Sequence, residues 1–332
     1  MSGRLSSLPS RYWAGQLAGS RMLDVALAPA EALFRAGTAL RNAAYDRRVL
    51  ASRRAPVPVV SVGNIAVGGS GKTPFAQWIA RALHARGARP AIVHGGYAAD
   101  EPALHRRWSP DIPVVVDRDR LAAARAAAQQ GATVIVLDDA FQHRRLYRDL
   151  DIVLVTVEGF EQHYRLLPRG PWREPLDALR RADLVIAARR TAAPTAGAAL
   201  TTFLQLRTRA PLVQVYFHAD AWLHNDAAAP PPAQPALVVC AIADPLTFSQ
   251  SVRPAGAVPA DWLPFPDHHD YTPADAAAIL QRARGRPIVT TEKDWTKLDR
   301  LLEPSRVWIL TQSVVVEQGA DQLAAALDRV VA

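Results

Sequence analysis

The stretch AVGGSGKTP, residues 66–74, decides how this chain folds. It follows an apolar run at 57–62 (VPVVSV) and precedes a helix-like segment at 75–86. A strand, a glycine-rich turn, Lys-Thr and a helix form the context of a phosphate-binding loop, or P-loop. The alternative is an ordinary glycine-rich turn between a strand and a helix. In this context the motif predicts that the chain binds a nucleoside triphosphate.

The polar groups of the P-loop have distinct predicted tasks. Successive backbone N–H groups converge on a polyphosphate, and the N-terminus of the next helix adds the positive end of its dipole. These backbone donors are predicted at Gly68, Gly69, Ser70 and Gly71. Lys72 is expected to reach the β- and γ-phosphates, and the Thr73 hydroxyl to join a Mg²⁺ shell. The first glycine of GxxxxGK(S/T) is replaced by Ala66.

Composition narrows the class of protein. A chain of 332 residues with 49% hydrophobic residues can form two ordinary domains or one large one. The net charge of +8 suits nucleic acid, an anionic membrane surface or a phosphorylated substrate, or it reflects solvated arginines alone. Nucleic acid ranks last, because no lysine-rich block and no aromatic-interleaved basic stripe is present. The single cysteine, Cys240, excludes an intrachain disulfide and reads as a small buried hydrophobe in a reducing compartment.

The N-terminal segment, residues 1–48, contains an amphipathic stretch from 12 to 45 with basic residues at its end. No apolar run approaches the roughly 18 residues of a membrane-spanning helix. No compact apolar core with a cleavage site marks a secretory signal. The spacing predicts a helix that lies in a membrane interface, or alternatively packs on the core of this protein or of a partner.

Strand and helix patterns alternate after the P-loop. Short apolar runs at 91–93, 133–137, 151–157 and 184–187 are separated by helical segments. This alternation predicts an α/β fold with a parallel sheet covered by helices on both faces, here a P-loop nucleotide-binding domain over 49–206.

The pattern of the sequence changes after residue 206. The runs at 212–217 and 221–223 predict a β-hairpin, and the proline-rich segment 227–235 predicts a stiff connector. We therefore assign a β-ribbon and linker to 207–235 and a second, smaller α/β domain to 236–332. Two α/β lobes offer a cleft, where ligands usually bind.

Further candidate residues follow the strands. Asp138 and Asp139 end the strand at 133–137, where P-loop enzymes hold Mg²⁺ or its waters; the alternative is that they cap a following helix. In DHHDY (267–271), an Asp–His proton acceptor and a simple turn are both open. Adjacent side chains diverge, which argues against a metal cluster. The segment 165–175 presents guanidinium groups to phosphate or is a solvated loop.

Seven motifs in this order resemble the tetraacyldisaccharide 4′-kinase family of Gram-negative lipid A synthesis. They are SVGNIAVGGSGKTP (61–74), GY (96–97), DEP (100–102), DDAFQHRRL (138–146), RLLPRGPWREPL (165–176), FPDHHDYT (265–272) and TTEKD (290–294). The resemblance covers nearly the whole chain, and it accounts for Ala66, because members of that family typically lack the first P-loop glycine.

The resemblance implies a lipid kinase, a phosphotransferase that acts on an alcohol group. With ATP and Mg²⁺ it would transfer the γ-phosphate to the 4′-hydroxyl of tetraacyldisaccharide 1-phosphate in lipopolysaccharide biosynthesis. It implies a peripheral or monotopic location at the cytoplasmic face of the inner membrane. The expected partners are the lipid-linked disaccharide 1-phosphate and the membrane surface, with no nucleic acid and no obligatory protein partner.

The resemblance also implies roles for individual residues. Asp100 matches the catalytic base, and His268 matches its partner in an Asp–His dyad. With Asp100 and His268 in different lobes, the dyad would assemble only on closure and so restrain wasteful ATP hydrolysis. The positions implied around nucleotide, Mg²⁺ and substrate are Glu101, Arg120, Asp138, Asp139, Arg173, Glu174 and His269.

Two features depart from that family pattern. The segment 94–100 (HGGYAAD) lacks an arginine and a longer excursion before Asp100, and DDG has become DDA at Ala140. The rival hypotheses are a catalytically impaired, membrane-associated P-loop relative and a P-loop ATPase or GTPase. The GTPase reading lacks support, because TEKD (291–294) does not have the spacing of an NKxD-like guanine reader.

Overall fold

The strand that precedes the P-loop lies at the centre of the larger of two compact units. The structure is a computed structural model that describes residues 12–13, 20–97, 99–158, 160 and 164–332. Of these residues, Tyr12–Tyr97, His105–Tyr216 and Val314–Ala332 belong to the larger unit. The smaller unit contains residues 99–104 and Phe217–Ser313.

The larger unit contains a parallel sheet in the order β7-β6-β5-β1-β4-β2-β3. Its strands are β1 (Val59–Asn64), β2 (Pro90–His94), β3 (Val114–Val116), β4 (Val134–Asp138), β5 (Leu150–Thr156), β6 (Leu184–Arg189) and the first part of β7 (Leu212–His224). Every residue of β1, β2, β4 and β6 is buried, as in a sheet covered on both faces. The predicted α/β fold with a parallel sheet is confirmed.

Nine α-helices lie within the described residues. They are α1 (Ser20–Asp46), α2 (Lys72–His84), α3 (Asp100–Trp108), α4 (Arg120–Gln129), α5 (Pro194–Gln205), α6 (Pro245–Val252), α7 (Pro273–Ala283), α8 (Glu292–Leu298) and α9 (Ala320–Val331). Short 3₁₀ turns occur at Leu176–Arg181 and Pro304–Arg306. The small residues of α4 let it pack closely, and Ala124 and Ala127 share a core cluster with β2 and β4. None of the described helices combines the length and apolar character that a bilayer crossing requires.

The smaller unit has its own parallel strands in the order β10-β9-β11-β12. Their bounds are β9 (Ala236–Cys240), β10 (Pro259–Pro264), β11 (Ile288–Thr291) and β12 (Val307–Gln318). The second part of β7 pairs antiparallel with β8 (Ala227–Ala229). Aromatic side chains such as Trp295 and Tyr271 fill the core between α7, α8 and the sheet.

The predicted hairpin between 212–217 and 221–223 is wrong, because β7 is one continuous strand. The chain reverses after it at Asn225 and Asp226, whose φ angles are 51° and 59°. Asn and Asp tolerate this left-handed conformation, which hairpin turns require. The end of β12 and α9 lie in the larger unit, whereas the sequence division assigned them to the C-terminal domain. That domain division stays a prediction.

Candidate functional site

The P-loop follows β1 at the carboxyl edge of the larger sheet, the edge where ligands bind in open α/β folds. Gly71 precedes α2 with a φ of 82°, and Gly68 has a φ of 116°. Both angles favour glycine. The turn is held internally, since Ser70 N–H donates to the Gly68 carbonyl at 2.9 Å and Asn64 Nδ2 donates to Ser70 Oγ at 2.9 Å. This geometry suits a loop that presents its backbone amides to an anion.

The segment 165–175 braces the P-loop. Val67 N–H donates to the Pro171 carbonyl at 2.7 Å, and Arg173 N–H donates to the Ile65 carbonyl at 2.8 Å. Ala66 also pairs with Trp172, which is buried. The alternative of a solvated surface loop is therefore wrong. Because of these contacts the segment carries Arg173 to the P-loop itself.

Two cations converge on one carboxylate beside the P-loop. Arg173 Nη1 donates to Asp139 Oδ1 and Oδ2 at 2.9 and 3.1 Å. Lys72 Nζ lies 3.8 Å from Asp139 Oδ1 and 3.5 Å from the Gly68 carbonyl oxygen. Asp139 holds a φ of 52°, a left-handed backbone angle that is uncommon for a residue other than glycine. Three of the predicted site residues are thus brought together.

Asp138 is fully buried, and only one of its carboxylate oxygens has a hydrogen-bond partner among the described residues. Its Oδ2 lies 3.1 Å from His105 Nε2, and His105 Nδ1 lies 2.7 Å from Gln77 Oε1. Its Oδ1 is buried without a hydrogen-bond partner among the described residues. Burial acts to raise the pKa of Asp138, but the His105 hydrogen bond and the charges of His105, His94 and Lys72 outweigh it and lower that pKa.

An ionised carboxylate with an unpaired buried oxygen is suited to a cation. The alternative that Asp138 and Asp139 cap a helix is wrong, because residues 140–149 contain no helix. Thr73 lies in the first turn of α2. His105 and Gln77 were missed by the sequence analysis, and no local pattern in the sequence marks them.

Arg120 is a buried cation without a full set of partners. It is 2% exposed, and its Nε and Nη1 have no hydrogen-bond partner among the described residues. Its guanidinium lies directly over Gly95, where a Cβ would come within 1.9 Å of Nη1. The Tyr97 ring centroid is 5.5 Å from its Cζ. A buried, unsatisfied guanidinium beside the end of β2 has the chemistry of an oxyanion ligand.

Glu174 has a different environment from the one the sequence suggested. It is 2% exposed, and its two oxygens accept from Arg181 at 2.7 and 2.9 Å. Asn42 Nδ2 of α1 also donates to it at 2.8 Å. The contacts of Glu174 therefore tie α1 to the segment that braces the P-loop.

Asp100 and His268 form a hydrogen-bonded pair inside the smaller unit. His268 Nδ1 lies 3.1 and 3.0 Å from the two Asp100 oxygens, although 168 positions separate the residues. The expectation that the pair is split between lobes is corrected, because both residues belong to one unit. His268 has a φ of 59°, and its N–H donates to the Ala241 carbonyl at 3.2 Å, so the end of β9 holds it in place.

Two lysines of α8 complete the surroundings of Asp100, which is 5% exposed. Lys297 Nζ donates to Asp100 Oδ2 at 3.1 Å, and Lys293 Nζ lies 3.6 Å from the same oxygen. Burial acts to raise the pKa of Asp100, but His268 and both lysines lower it well below its usual range. The hydrogen bond to Asp100 raises the pKa of His268 against the opposing effects of burial and Lys293.

Neither lysine was predicted from the sequence as a site residue, although TTEKD contains the first of them. The remaining predicted positions have local partners. Glu101 donates its backbone N–H to Asp100 Oδ1 at 3.0 Å. His269 Nε2 lies 3.1 Å from Asp275 at the start of α7, and its ring stacks on Phe265. The role of His269 stays a prediction.

The family model described as Tetraacyldisaccharide-1-P 4′-kinase matches residues 23–99 and 98–332. Its two segments meet where the sequence lacks the excursion before Asp100.

Curated relatives carry the same name. A tetraacyldisaccharide 4′-kinase of Anaeromyxobacter sp. (strain K) is 38% identical over 99% of this chain and 96% of the relative. One of Syntrophus aciditrophicus (strain SB) is 38% identical over 80% of this chain and 82% of the relative. A crystal structure of LpxK from Aquifex aeolicus in complex with ATP superposes with a TM-score of 0.73. It is 28% identical, and the match covers 93% of this chain and 99% of that one.

Proposed function

The chain belongs to the tetraacyldisaccharide-1-P 4′-kinase family, and from that membership we propose how its residues carry out the reaction. It is a kinase of lipid A biosynthesis that uses ATP to phosphorylate the 4′-hydroxyl of the lipid disaccharide 1-phosphate. In our proposal the P-loop of the larger unit binds the triphosphate, and Asp100 of the smaller unit receives the proton of the acceptor hydroxyl.

Binding of the triphosphate rests on groups that are already in place. The amides of residues 68–73 and the dipole of α2 favour the phosphate oxygens. Lys72 and Arg173 add positive charge, and both now contact Asp139. Arg120 adds a third cation, whose Nε and Nη1 have no hydrogen-bond partner among the described residues. Charge on the transferred group is best stabilised by such fixed cations and dipoles.

The single observation that carries the nucleotide site is the buried, unpaired Oδ1 of Asp138 at the same sheet edge as the P-loop. That atom fits a hard cation, since carboxylate and hydroxyl oxygens are the ligands Mg²⁺ prefers. In our proposal Thr73, Asp138 and Asp139 would hold Mg²⁺. The ion would neutralise charge on the phosphate oxygens.

A sugar hydroxyl is a weak nucleophile, so a base aligned with it accelerates transfer. In the proposed step the hydroxyl proton passes to the Asp100 carboxylate while the hydroxyl oxygen bonds to the γ-phosphorus. The bond from that phosphorus to the leaving oxygen of ADP breaks. His268 orients Asp100, because its Nδ1 contacts both carboxylate oxygens. We propose Glu101 and His269 as supporting residues around these groups, and Glu174 as a residue that supports the segment 165–175 through Arg181 and Asn42.

The test is transfer of label from γ-labelled ATP to the lipid disaccharide 1-phosphate. Asp100→Asn removes the base with little change in shape and is expected to lower kcat by about 100-fold or more. Asp177→Asn is the matched control, because Asp177 is exposed and its ion pair among the described residues is a surface contact with Arg180. Equal transfer by Asp100→Asn and the parent would remove Asp100 from the mechanism. ATP binding without transfer by the parent would favour a catalytically impaired relative.

We also propose that α1 lies on the cytoplasmic surface of the inner membrane. One side of α1 packs on the larger unit, where Glu31 accepts from Leu166 N–H at 3.0 Å and Phe34 contacts the core. On the other side Met22, Val25, Leu33 and Leu40 are each more than 70% exposed. At 3.6 residues per turn these four lie within about 80° of one another around the helix.

An exposed apolar stripe with flanking arginines is typical of interfacial helices. Arg21 precedes the stripe, and the exposed Arg47 and Arg48 follow α1. Leu40→Asp is expected to weaken binding to vesicles that contain phosphatidylglycerol several-fold. Ala39→Asp is the control, because it adds the same charge outside the stripe, about 100° from Leu40 around the helix. Equal loss of vesicle binding by the two variants would refute the stripe as the contact surface.

A further inference from the structure

Lysine is rare in this chain and confined to two places. Lysine and arginine together number 39, yet the sequence has only three lysines, at 72, 293 and 297. Lys72 is the P-loop lysine. The other two lie one helical turn apart on α8 and approach the same oxygen of Asp100. All other Lys and Arg positions of this chain are arginine. We therefore infer that the chemistry of an ammonium group matters at Asp100.

Three hydrogen-bond donors and a second ammonium surround the Asp100 carboxylate. An ionised carboxylate accepts at about four lone-pair sites. Oδ1 accepts from Glu101 N–H at 3.0 Å and contacts His268 Nδ1 at 3.1 Å. Oδ2 contacts His268 Nδ1 at 3.0 Å and accepts from Lys297 Nζ at 3.1 Å, with Lys293 Nζ at 3.6 Å. The single Nδ1–H of His268 is shared between the two oxygens, whereas Lys297 holds Oδ2 alone, so a substrate hydroxyl that binds Oδ2 competes with Lys297.

Of these donors, Lys297 is the one that can move away from Asp100 without breaking a second hydrogen bond among the described residues. His268 is held by the Ala241 carbonyl, and the Glu101 N–H is part of α3. Lys293 has two further partners, Asp267 Oδ1 at 3.5 Å and His268 Nε2 at 3.3 Å. The Lys297 ammonium has no second hydrogen-bonding partner among the described residues; the Tyr271 ring centroid lies 5.9 Å away, and the charge of Asp294 also acts on it.

The backbone that carries these lysines is firmly anchored. Asp294 lies between them on α8 and is fully buried. Its carboxylate accepts from Ala241 N–H at 3.0 Å, Tyr271 Oη at 3.1 Å and Thr291 Oγ1 at 2.7 Å. The peptide of Ala241 is thus bonded to Asp294 on one side and to His268 on the other. Any movement at Asp100 must come from the lysine side chain and not from the helix.

We propose that Lys297 is a positioning residue that prevents Asp100 from acting as a base before the lipid binds. Its ammonium occupies Asp100 Oδ2 until the lipid's 4′-hydroxyl replaces it. This inference rests on the proposed role of Asp100 as the base. Lys293 holds the opposite side of the same cluster through Asp267 and His268. A dyad split between lobes was expected to restrain ATP hydrolysis in the absence of lipid, but the dyad is already assembled in the smaller unit. In our proposal Lys297 provides this restraint instead.

The choice of lysine follows from this task. An ammonium is a hydrated point charge on a flexible stem, so it can leave one oxygen and return. A guanidinium would bind both carboxylate oxygens in a planar fork and would be slow to leave. Lys297→Met and Lys297→Arg therefore separate removal of the restraint from tightening of it.

The experiment measures two rates for each variant: ATP hydrolysis without lipid and phosphoryl transfer with lipid. Lys297→Met is expected to raise lipid-independent hydrolysis about tenfold, because a cation this close lowers a carboxyl pKa by about 1–3 units and general-base rates follow base strength. Its KM for ATP should not change. Lys297→Arg should keep hydrolysis low and reduce the kcat of transfer. Arg300→Met, an exposed charge removed two residues after α8, is the control.

The outcomes separate this inference from the proposed function. If Asp100→Asn retains full transfer, the base assignment itself fails. If Asp100→Asn loses transfer but Lys297→Met hydrolyses ATP like the parent, only the role of Lys297 fails. The double variant Asp100→Asn, Lys297→Met should lose the extra hydrolysis.

A second readout needs no substitution in the measured protein. With ¹³C-labelled lysine the unaltered protein gives three side-chain NMR signals. Saturating lipid disaccharide 1-phosphate should shift the Lys297 signal, and a non-hydrolysable ATP analogue should shift that of Lys72. A Lys297 signal that stays unchanged at saturating lipid would overturn the inference.

Discussion

Gly95→Ala tests whether the position of the Arg120 guanidinium, and not only its charge, matters for phosphoryl transfer. A Cβ at residue 95 would lie 1.9 Å from Arg120 Nη1 and 2.3 Å from both Cζ and Nη2. These separations are far inside van der Waals contact, so the guanidinium must move. Its far end is flexible, and the cost to the free energy of unfolding should stay near the lower end of the about 1–3 kcal/mol typical of overpacking.

The effect on activity should be larger than the effect on stability. A hydrogen bond to a charged group is worth about 1.5–3 kcal/mol. Losing one such bond in the transition state lowers kcat/KM by about 10- to 150-fold. Arg120→Ala should lower it by a similar factor. The double variant should then be no worse than either single variant, because both changes remove the same interaction.

The assay combines thermal unfolding with kcat/KM for ATP in the labelled-transfer reaction. Gly197→Ala is the matched control, since its new Cβ would meet the Cδ of Arg189 at an ordinary 3.5 Å. It should leave kcat/KM unchanged. If Gly95→Ala folds with normal stability and keeps full activity, the guanidinium over Gly95 has no part in the reaction. Additive losses in the double variant would show that residue 95 acts through something other than Arg120.

Three further predictions concern the dyad, the core and the single cysteine. In Asp100→Asn the pKa of His268, followed by NMR, should fall, because the carboxylate whose hydrogen bond raises it is gone while burial and Lys293 still lower it; an unchanged pKa would contradict the pairing. Leu154→Ala should lower the free energy of unfolding by about 2–5 kcal/mol in denaturant titration, whereas Leu206→Ala, at a 78% exposed position, should leave it within about 0.5 kcal/mol. Burial raises the pKa of the Cys240 thiol, so a thiol reagent should react with it only on unfolding, and rapid labelling of the native protein would refute its burial.

The nucleotide half of the site could be predicted from sequence because its determinants are local. The P-loop lies between adjoining elements, and Asp138 follows its strand directly, so strand, turn and helix propensities place these groups at one sheet edge. The parallel sheet itself followed from apolar runs that are buried on both faces. Resemblance to a family added Asp100 and His268 as a pair, which their separation in sequence does not suggest.

Tertiary contacts decided what local patterns could not. The pairing of Asp100 with His268 in one unit depends on α3, the end of β9 and the loop after β10, which are distant in sequence. The same packing brought the lysines of α8 to Asp100 and buried Glu174 against Arg181. Continuity of β7 past residue 217 was likewise set by its neighbouring strands, because a single strand carries no local signal of where its partners end. The sequence determines the chemistry of each side chain. Which charged side chains contact one another is determined only by the packing of segments that are distant in sequence.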